Sequence, residues 1–243
     1  HCSVHSFPTR RSSDLDAART ERQGWLNGFR IDGRLPEPRR RAIAKALSIM
    51  KTQVCTAEGR IRRTWTTPDR WPHRAMWLWD SAFHAIGWRH ADPALARTML
   101  EAVLEAQQPD GRVPITTSPS SAHTLTQPPV LALAAWLVHE AGPADGWIEA
   151  LYPKLAAYVA WDLAHRDTDG KGLVEWFIVE DPVCRSGESG MDNCSRFDVA
   201  KPLDAVDFNA FLAAEAGILA QIADRRSEPQ EAARWRQEQA RLN

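Results

Sequence analysis

Carboxylate, amide and tryptophan side chains concentrate in four loop-like segments that also contain proline or glycine. These are residues 66–80, 107–111, 126–129 and 188–198. Carboxylates and amides bind hydroxyl groups, and the flat apolar face of tryptophan packs against a sugar ring. The chain has 11 Trp against 2 Tyr, which fits such a pocket as well as a core rich in tryptophan. The pattern indicates a site for a polyol or a sugar.

Each segment taken alone also has an explanation that involves no ligand. Asp80 could cap a helix, and residues 107–111, QQPDG, form a good turn sequence. Residues 188–193, ESGMDN, could be a tight loop centred on glycine. The interpretation as a binding site therefore depends on the combination of segments.

Helices have to position these segments, because the chain reads as helices joined by loops rich in proline and glycine. The spacing of apolar residues predicts helices over residues 38–51, 80–89, 93–106, 128–142, 145–165, 206–223 and 228–242. Pro153 is predicted to divide the fifth of these, and residues 173–179 have the β propensity of a short extended stretch. The fold class is all-α, an array of helical hairpins, and periodicity leaves an open solenoid and a closed toroid as alternatives.

Composition limits the function classes. The chain is 44% hydrophobic and 25% charged with a net charge of −1, as in a globular protein, and it lacks the basic field of many nucleic-acid binders. No stretch has the roughly 18 consecutive apolar residues of a membrane span. We therefore expect neither nucleic acid nor a membrane as a partner. No CxxC pair is formed by the cysteines of residues 16–243, which are Cys55, Cys184 and Cys194, so a reducing, cytoplasmic location is expected.

No metal or cofactor is predicted either. Residues 167–172, DTDGKG, are similar to the start of a calcium loop. The twelfth position of that loop, which needs Glu, is Ile178, so a surface turn is favoured.

Residues 5–15, HSFPTRRSSDL, read as the translation of a widely used sequencing adapter. We therefore expect residues 1–15 to be a non-native segment and residues 16–243 to be a fragment of the natural protein.

The motifs together resemble a known family. Residues 77–87, WLWDSAFHAIG, resemble the first inner-helix motif of glycoside hydrolase family 63 and its mannosylglycerate-hydrolase-like relatives. Residues 188–193 are similar to the general-acid loop of that family, whose form the trehalases share. Residues 107–111 and 126–129 are similar to its substrate-pocket loops, in the same order. The resemblance extends from about residue 35 to residue 223, and residues 16–243 would be the N-terminal part of the catalytic domain.

The resemblance implies an (α/α)6 toroid of helical hairpins, with about half of the ring present, that hydrolyses α-linked glucosides or mannosides with inversion. Inversion needs an acid that protonates the leaving oxygen and a base that activates water, with the two carboxyl groups about 6.5–9.5 Å apart. By motif match Asp192 is the general acid. The general base is expected beyond residue 243, so the fragment alone is expected to be inactive.

The resemblance also implies the substrate-binding residues for an oligosaccharide or a small glycoside, namely Trp77, Trp79, Asp80, Gln108, Gln127, Glu188 and Arg196. Trp79 would pack on the sugar ring, and Arg196 would orient a carboxylate or a hydroxyl group. The sequence departs from the family at Cys194-Ser195, where relatives carry Ser-Pro, and at Ile115, where many carry His.

Two alternatives stay open. A sugar isomerase or epimerase on the same toroid would use histidine acid–base pairs, and no such motif is evident in the loops. A carbohydrate-binding scaffold without catalysis would leave the concentration of Trp, Asp, Gln and Arg in the loops unexplained.

Overall fold

The computed structural model describes residues 12–29, 31–199 and 201–243, and it divides into two units, His1–Thr52 and Gln53–Asn243. Residues 1–11 of the expected non-native segment lie outside the described residues. Residues 12–15 form the start of the first helix, α1 (Ser12–Asn27).

The first unit contains α1 and most of α2 (Glu37–Gln53). These helices contact each other where Arg22 Nη2 donates to Ser48 Oγ (2.6 Å) and Lys51 Nζ lies 4.4 Å from the centre of the Trp25 ring. The helix predicted over residues 38–51 is confirmed. Helix α1 was not predicted, because its mostly polar sequence has no apolar stripe to reveal a helical period.

The second unit contains six helices, each of which the sequence predicted. They are α3 (Leu78–Trp88), α4 (Pro93–Glu105), α5 (Leu131–Ala141), α6 (Trp147–His165), α7 (Val206–Arg225) and α8 (Pro229–Leu242). Helix α5 starts three residues later than predicted, and residues 128–130 lead into it as non-helical chain.

Three helical hairpins follow each other in this unit, α3/α4, α5/α6 and α7/α8. Helix α5 packs against both α3 and α7, while α4, α6 and α8 pack on the outside of this inner row. Because the chain reverses direction in each hairpin, the inner helices α3, α5 and α7 all begin at the same end. The loops that precede these three helices are therefore brought together, and they are three of the segments singled out in the sequence.

Two short antiparallel ladders lie near the end at which the inner helices begin. Strand β1 (Val54–Cys55) pairs with β2 (Trp65–Thr66), and β3 (Met76–Trp77) pairs with β4 (Thr116–Thr117). Strand β3 runs directly into α3, so this pairing sets the entry of the first inner helix. The extended stretch expected at residues 173–179 makes a single bridge, from Glu175 to Asp204, and no ladder among the described residues.

The predicted break at Pro153 is wrong, since α6 is one continuous helix. A proline inside a helix leaves the carbonyl four residues earlier without its helical partner, which here is Glu149. Arg226 is the residue just after α7, and its Nη1 donates to the Glu149 carbonyl oxygen at 2.7 Å. A tertiary hydrogen bond thus replaces the one that proline removes.

A carboxylate from α7 holds the start of α5. Glu215 is 2% exposed and accepts hydrogen bonds from the backbone N–H groups of Ala132 (2.7 Å) and Leu133 (2.8 Å). The first N–H groups of a helix have no partner within it, so a buried helix start needs such an acceptor. Burial raises the pKa of Glu215 from 4.5 to about 7.

Helix α7 is the one described helix whose length and apolar composition would also suit a membrane span. Inside the fold, 61% of that apolar window is buried, as expected for a core helix. The predicted absence of a membrane partner stays a prediction.

We expect Glu215→Gln to flatten the pH dependence of stability. The pKa of Glu215 is 4.5 in the unfolded chain and about 7 in the folded chain, so the folded state holds this proton more tightly. The free energy of unfolding therefore falls by up to about 3 kcal/mol as the pH rises from 4.5 to 7. Glutamine does not titrate. Urea unfolding at pH 5 and pH 7.5 should show a smaller loss of stability in the variant, and parallel profiles would contradict this assignment.

Candidate active site

Five of the predicted site residues line one cavity of about 250 Å³ at the end where the inner helices begin. They are Trp77, Trp79, Asp80, Gln127 and Asp192. Residues from three separate loops therefore meet there. The lining is completed by Pro68, His73, Gly187 and Gly190.

The start of α3 carries Trp79 and Asp80 in its first turn, directly after β3. The backbone N–H of Trp79 donates to Gln127 Oε1 at 3.1 Å, so Gln127 acts as an acceptor for the open end of the helix. Its Nε2 makes no hydrogen bond within the described residues and is free to donate to a ligand. Burial raises the pKa of the Asp80 carboxyl.

The loop that carries Asp192 packs directly on the Trp79 ring. Gly190 has φ +67°, and a Cβ at this position would lie 2.3 Å from Trp79 Cη2. Glycine is therefore required here for two reasons, the left-handed backbone and the close approach of the indole. The contact fixes the distance between the tryptophan and the Asp192 loop.

The backbone of Asp192 is held on both sides. Its carbonyl oxygen accepts from the N–H groups of Arg185 (2.8 Å) and Ser186 (3.3 Å), and the Met191 carbonyl accepts from Cys194 N–H (2.8 Å). Its side chain is exposed and lines the cavity. Cys184 lies beside it, and burial, together with the charge of Asp192, raises the pKa of that thiol.

Glu188 lies beneath the cavity and is not part of its lining. It is fully buried, and Arg166 binds both of its oxygens, with Nη2 2.5 Å from Oε1 and Nε 3.0 Å from Oε2. The same carboxylate accepts from Thr126 N–H (3.0 Å) and Phe177 N–H (3.3 Å). With its oxygens occupied in this way, Glu188 supports the site, so we revise its predicted role as a direct substrate contact.

Tyr158 of α6 fixes the Gln127 loop from below. Its hydroxyl donates to the Gln127 carbonyl oxygen (2.8 Å) and lies 2.7 Å from Thr126 Oγ1, which itself donates to the Val113 carbonyl (2.8 Å). These groups are buried and satisfy one another, so they hold the loop in one conformation.

Two other predicted residues lie away from this cavity. Gln108, in the loop after α4, lines a different cavity, and its Nε2 donates to the Ala106 carbonyl oxygen. Arg196 is paired with Asp207 at the start of α7, with Nη2 2.6 Å from Oδ2. In the described residues neither side chain contributes to the site that holds Asp192.

His73 is a site residue that the sequence analysis did not select, although it lies in one of the segments singled out. Asp69 Oδ2 lies 2.8 Å from His73 Nδ1, and Asp69 Oδ1 accepts from His73 N–H at 2.9 Å. The hydrogen bond from His73 lowers the pKa of Asp69. Because Asp69 occupies Nδ1, Nε2 is the ring nitrogen left for a ligand. An aspartate four residues before the histidine was the signal available in the sequence.

One group of acidic side chains among the described residues has the spacing of a cation site. Carboxylate oxygens of Asp167, Asp169 and Glu175 lie within 4.8 Å of one another. The ammonium of Lys171 is 2.5 Å from Asp169 Oδ2 and already supplies positive charge. The expectation of no bound metal stays a prediction.

Sequence comparison finds relatives over most of the second unit. The family model for the mannosylglycerate hydrolase MGH1-like glycoside hydrolase domain matches residues 72–243. A mannosylglycerate hydrolase of Thermus thermophilus is 32% identical over 171 residues, which is 60% of this chain and 39% of that protein. Mannosylglycerate hydrolase MGH1 of Selaginella moellendorffii is 30% identical over 159 residues, or 56% of this chain and 31% of that protein. The chain spans between about a third and two fifths of these relatives.

Solved structures show the same fold. A GH63 mannosylglycerate hydrolase from Thermus thermophilus in complex with glucose aligns with a TM-score of 0.63 and 25% identity, covering 80% of this chain and 61% of that chain. An uncharacterised conserved protein from the same organism aligns with a TM-score of 0.65 and 25% identity, covering 80% and 60%. The GH63 structure is an (α/α)6 toroid, so the predicted all-α, toroid-type fold is confirmed for the part of the ring that this chain spans.

We expect Gly190→Ala to destabilise the protein and to displace Trp79, because the new Cβ would overlap the indole. Gly146→Ala is a matched control, since Gly146 also has φ +67° but has no atom within 4 Å of the added Cβ. Both variants lose about 1 kcal/mol through the backbone, and only Gly190→Ala adds the steric clash. Thermal unfolding and near-ultraviolet circular dichroism would measure the difference. Equal shifts in both variants would show that the contact with Trp79 is unimportant.

Proposed function

The chain belongs to the mannosylglycerate hydrolase MGH1-like glycoside hydrolase family, and from this we propose that the complete protein hydrolyses the O-glycosidic bond of a small α-linked glycoside. Mannosylglycerate is the substrate class to test first, because the two relatives compared above are mannosylglycerate hydrolases.

The observation that carries the proposal is the single cavity that holds Trp79, Asp80, Gln127 and Asp192. The tryptophan offers a flat apolar wall to a sugar ring, while Asp80 accepts and Gln127 Nε2 donates hydrogen bonds to its hydroxyl groups. Asp192 is exposed in the same cavity and would supply the proton to the glycosidic oxygen. Family membership favours hydrolysis over the sugar isomerase or epimerase alternative.

The mechanism we propose is inversion. Asp192 gives its proton to the leaving oxygen as the bond from that oxygen to the anomeric carbon breaks. A water molecule attacks the same carbon from the opposite face and loses its proton to a second carboxylate. We assign this base to a residue beyond residue 243, in the part of the relatives that the chain does not span.

The acidic part of the substrate would be bound by His73. Among the residues that line the cavity, His73 is the one whose side chain can carry a positive charge, and Asp69 holds its ring in place. In its protonated form, the His73 ring would donate a charge-assisted hydrogen bond from Nε2 to the carboxylate of the substrate. This assignment gives the acidic glycoside an advantage over a neutral one of the same size.

We expect Asp192→Asn to lower kcat for mannosylglycerate by about 10²-fold or more in the complete protein, since the amide cannot donate a proton to the leaving oxygen. Asp145→Asn is the matched control, because Asp145 is exposed in the loop before α6, away from the cavity. Product formation followed by NMR would also give the anomeric configuration, which should be inverted. Full activity of Asp192→Asn, or retention of configuration, would overturn the mechanism.

We expect His73→Gln to reduce selectivity for an acidic aglycone. The ratio of kcat/KM for mannosylglycerate to that for mannosylglycerol, which has an alcohol in place of the carboxylate, should fall about tenfold, as for the loss of one charge-assisted hydrogen bond. Activity on the neutral substrate should change much less. An unchanged ratio would exclude His73 as the partner of the carboxylate while leaving the hydrolase proposal intact.

A further inference from the structure

A second and larger cavity, of about 710 Å³, lies on the other face of the β3–β4 ladder. Side chains alternate between the faces of a strand, and residues paired across a ladder share a face. Trp77 lines the candidate active site, whereas Thr117, which pairs with the preceding residue Met76, lines the second cavity. The ladder thus separates the two cavities, and the second is a distinct place for a ligand.

The second cavity carries an excess of positive charge. Three guanidinium groups and one carboxylate line it. Arg63 is bound by Glu101 (2.8 Å) and Glu105 (2.5 Å). Arg60 and Arg62 are exposed, and neither has an ion-pair partner among the described residues. The chain as a whole has a net charge of −1, so this is a local concentration of positive charge in a concave surface, which attracts anions.

Two oriented amides add hydrogen-bond acceptors to the same cavity. Gln107 Nε2 donates to the carbonyl oxygens of Gly111 and Lys154, both at 2.8 Å, and Gln108 Nε2 donates to Ala106 O at 2.8 Å. Within the described part of the chain, the oxygen of neither amide accepts a hydrogen bond. Fixed in this way, the amide oxygens suit the hydroxyl groups of a ligand.

We propose that this cavity is an accessory site for a small hydroxylated oxyanion of the sugar phosphate class. Arg60 and Arg62 would bind the phosphate, whose charge of nearly −2 matches two guanidinium groups. Gln107 and Gln108 would accept hydrogen bonds from the sugar hydroxyl groups. The volume is within the range of about 300–1,000 Å³ found for small-molecule sites. The proposal explains why the Gln107–Gln108 turn is held so firmly although it lies away from Asp192.

Isothermal titration calorimetry of the chain with mannose 6-phosphate, mannose and D-glycerate tests the proposal without reference to hydrolysis. We expect saturable binding of mannose 6-phosphate with one site per chain, weakened by added salt and weakened at least tenfold in the double variant Arg60→Gln/Arg62→Gln. The matched control is Arg39→Gln/Arg40→Gln, which removes two exposed arginines from α2 and should leave binding unchanged. Circular dichroism would establish that the variants fold.

The outcomes separate the possible ligands. Binding of D-glycerate with the same dependence on Arg60 and Arg62 would support the oxyanion site and identify a carboxylate as its ligand. Three results would overturn the proposal: no saturable binding of either anion, equal affinity in the Arg60→Gln/Arg62→Gln variant, or binding of mannose as tight as that of mannose 6-phosphate.

Discussion

The candidate active site depends on the buried ion pair between Arg166 and Glu188. Arg166 follows the end of α6, and its guanidinium binds both oxygens of a carboxylate that is fully buried. The carboxylate then accepts the backbone N–H of Thr126, which precedes Gln127, while Glu188 itself is two residues before Gly190. One charged group therefore fixes two of the three loops that form the cavity. Removing either partner would leave a buried charge without compensation, which typically costs about 3–5 kcal/mol.

Three acidic side chains are buried near this ion pair, and within the described residues only one of them is paired with a cation. Asp162, Glu188 and Glu215 are all buried in neighbouring helices and loops, but Arg166 pairs with Glu188 alone. Burial raises the pKa of Asp162 well above its usual range, and the negative charge of Glu188 raises it further. Burial likewise raises the pKa of Glu215. A second buried negative charge without a cation would be strongly destabilising, so the protein keeps one ion pair and favours protonated carboxyl groups around it.

Much of the helical scaffold could be predicted from the sequence, because it follows from local signals. Asp92 before Pro93 marks the start of α4, where the Asp92 carboxylate accepts from Leu95 N–H, as a capping residue does. Pro153 misled the prediction because its effect depends on Arg226, which is distant in sequence. Helix α1 was missed because its side chains are mostly polar. Of the eight site residues that the resemblance implies, Trp77, Trp79, Asp80, Gln127 and Asp192 line one cavity, whereas Gln108, Glu188 and Arg196 do not.

The sequence by itself determined most of the helices, the family and the residue types that a sugar site needs, since hydrophobic period, caps and motifs are local properties of the chain. Tertiary structure decided which of the polar residues face the cavity. Glu188 and Asp192 are four residues apart, yet Glu188 is buried against Arg166 and Asp192 is exposed. Gln108 and Gln127 belong to consecutive loops, yet the β3–β4 ladder places them in separate cavities. Burial, ion pairing and the face of a ladder are set by residues distant in sequence, and no local pattern carries that information.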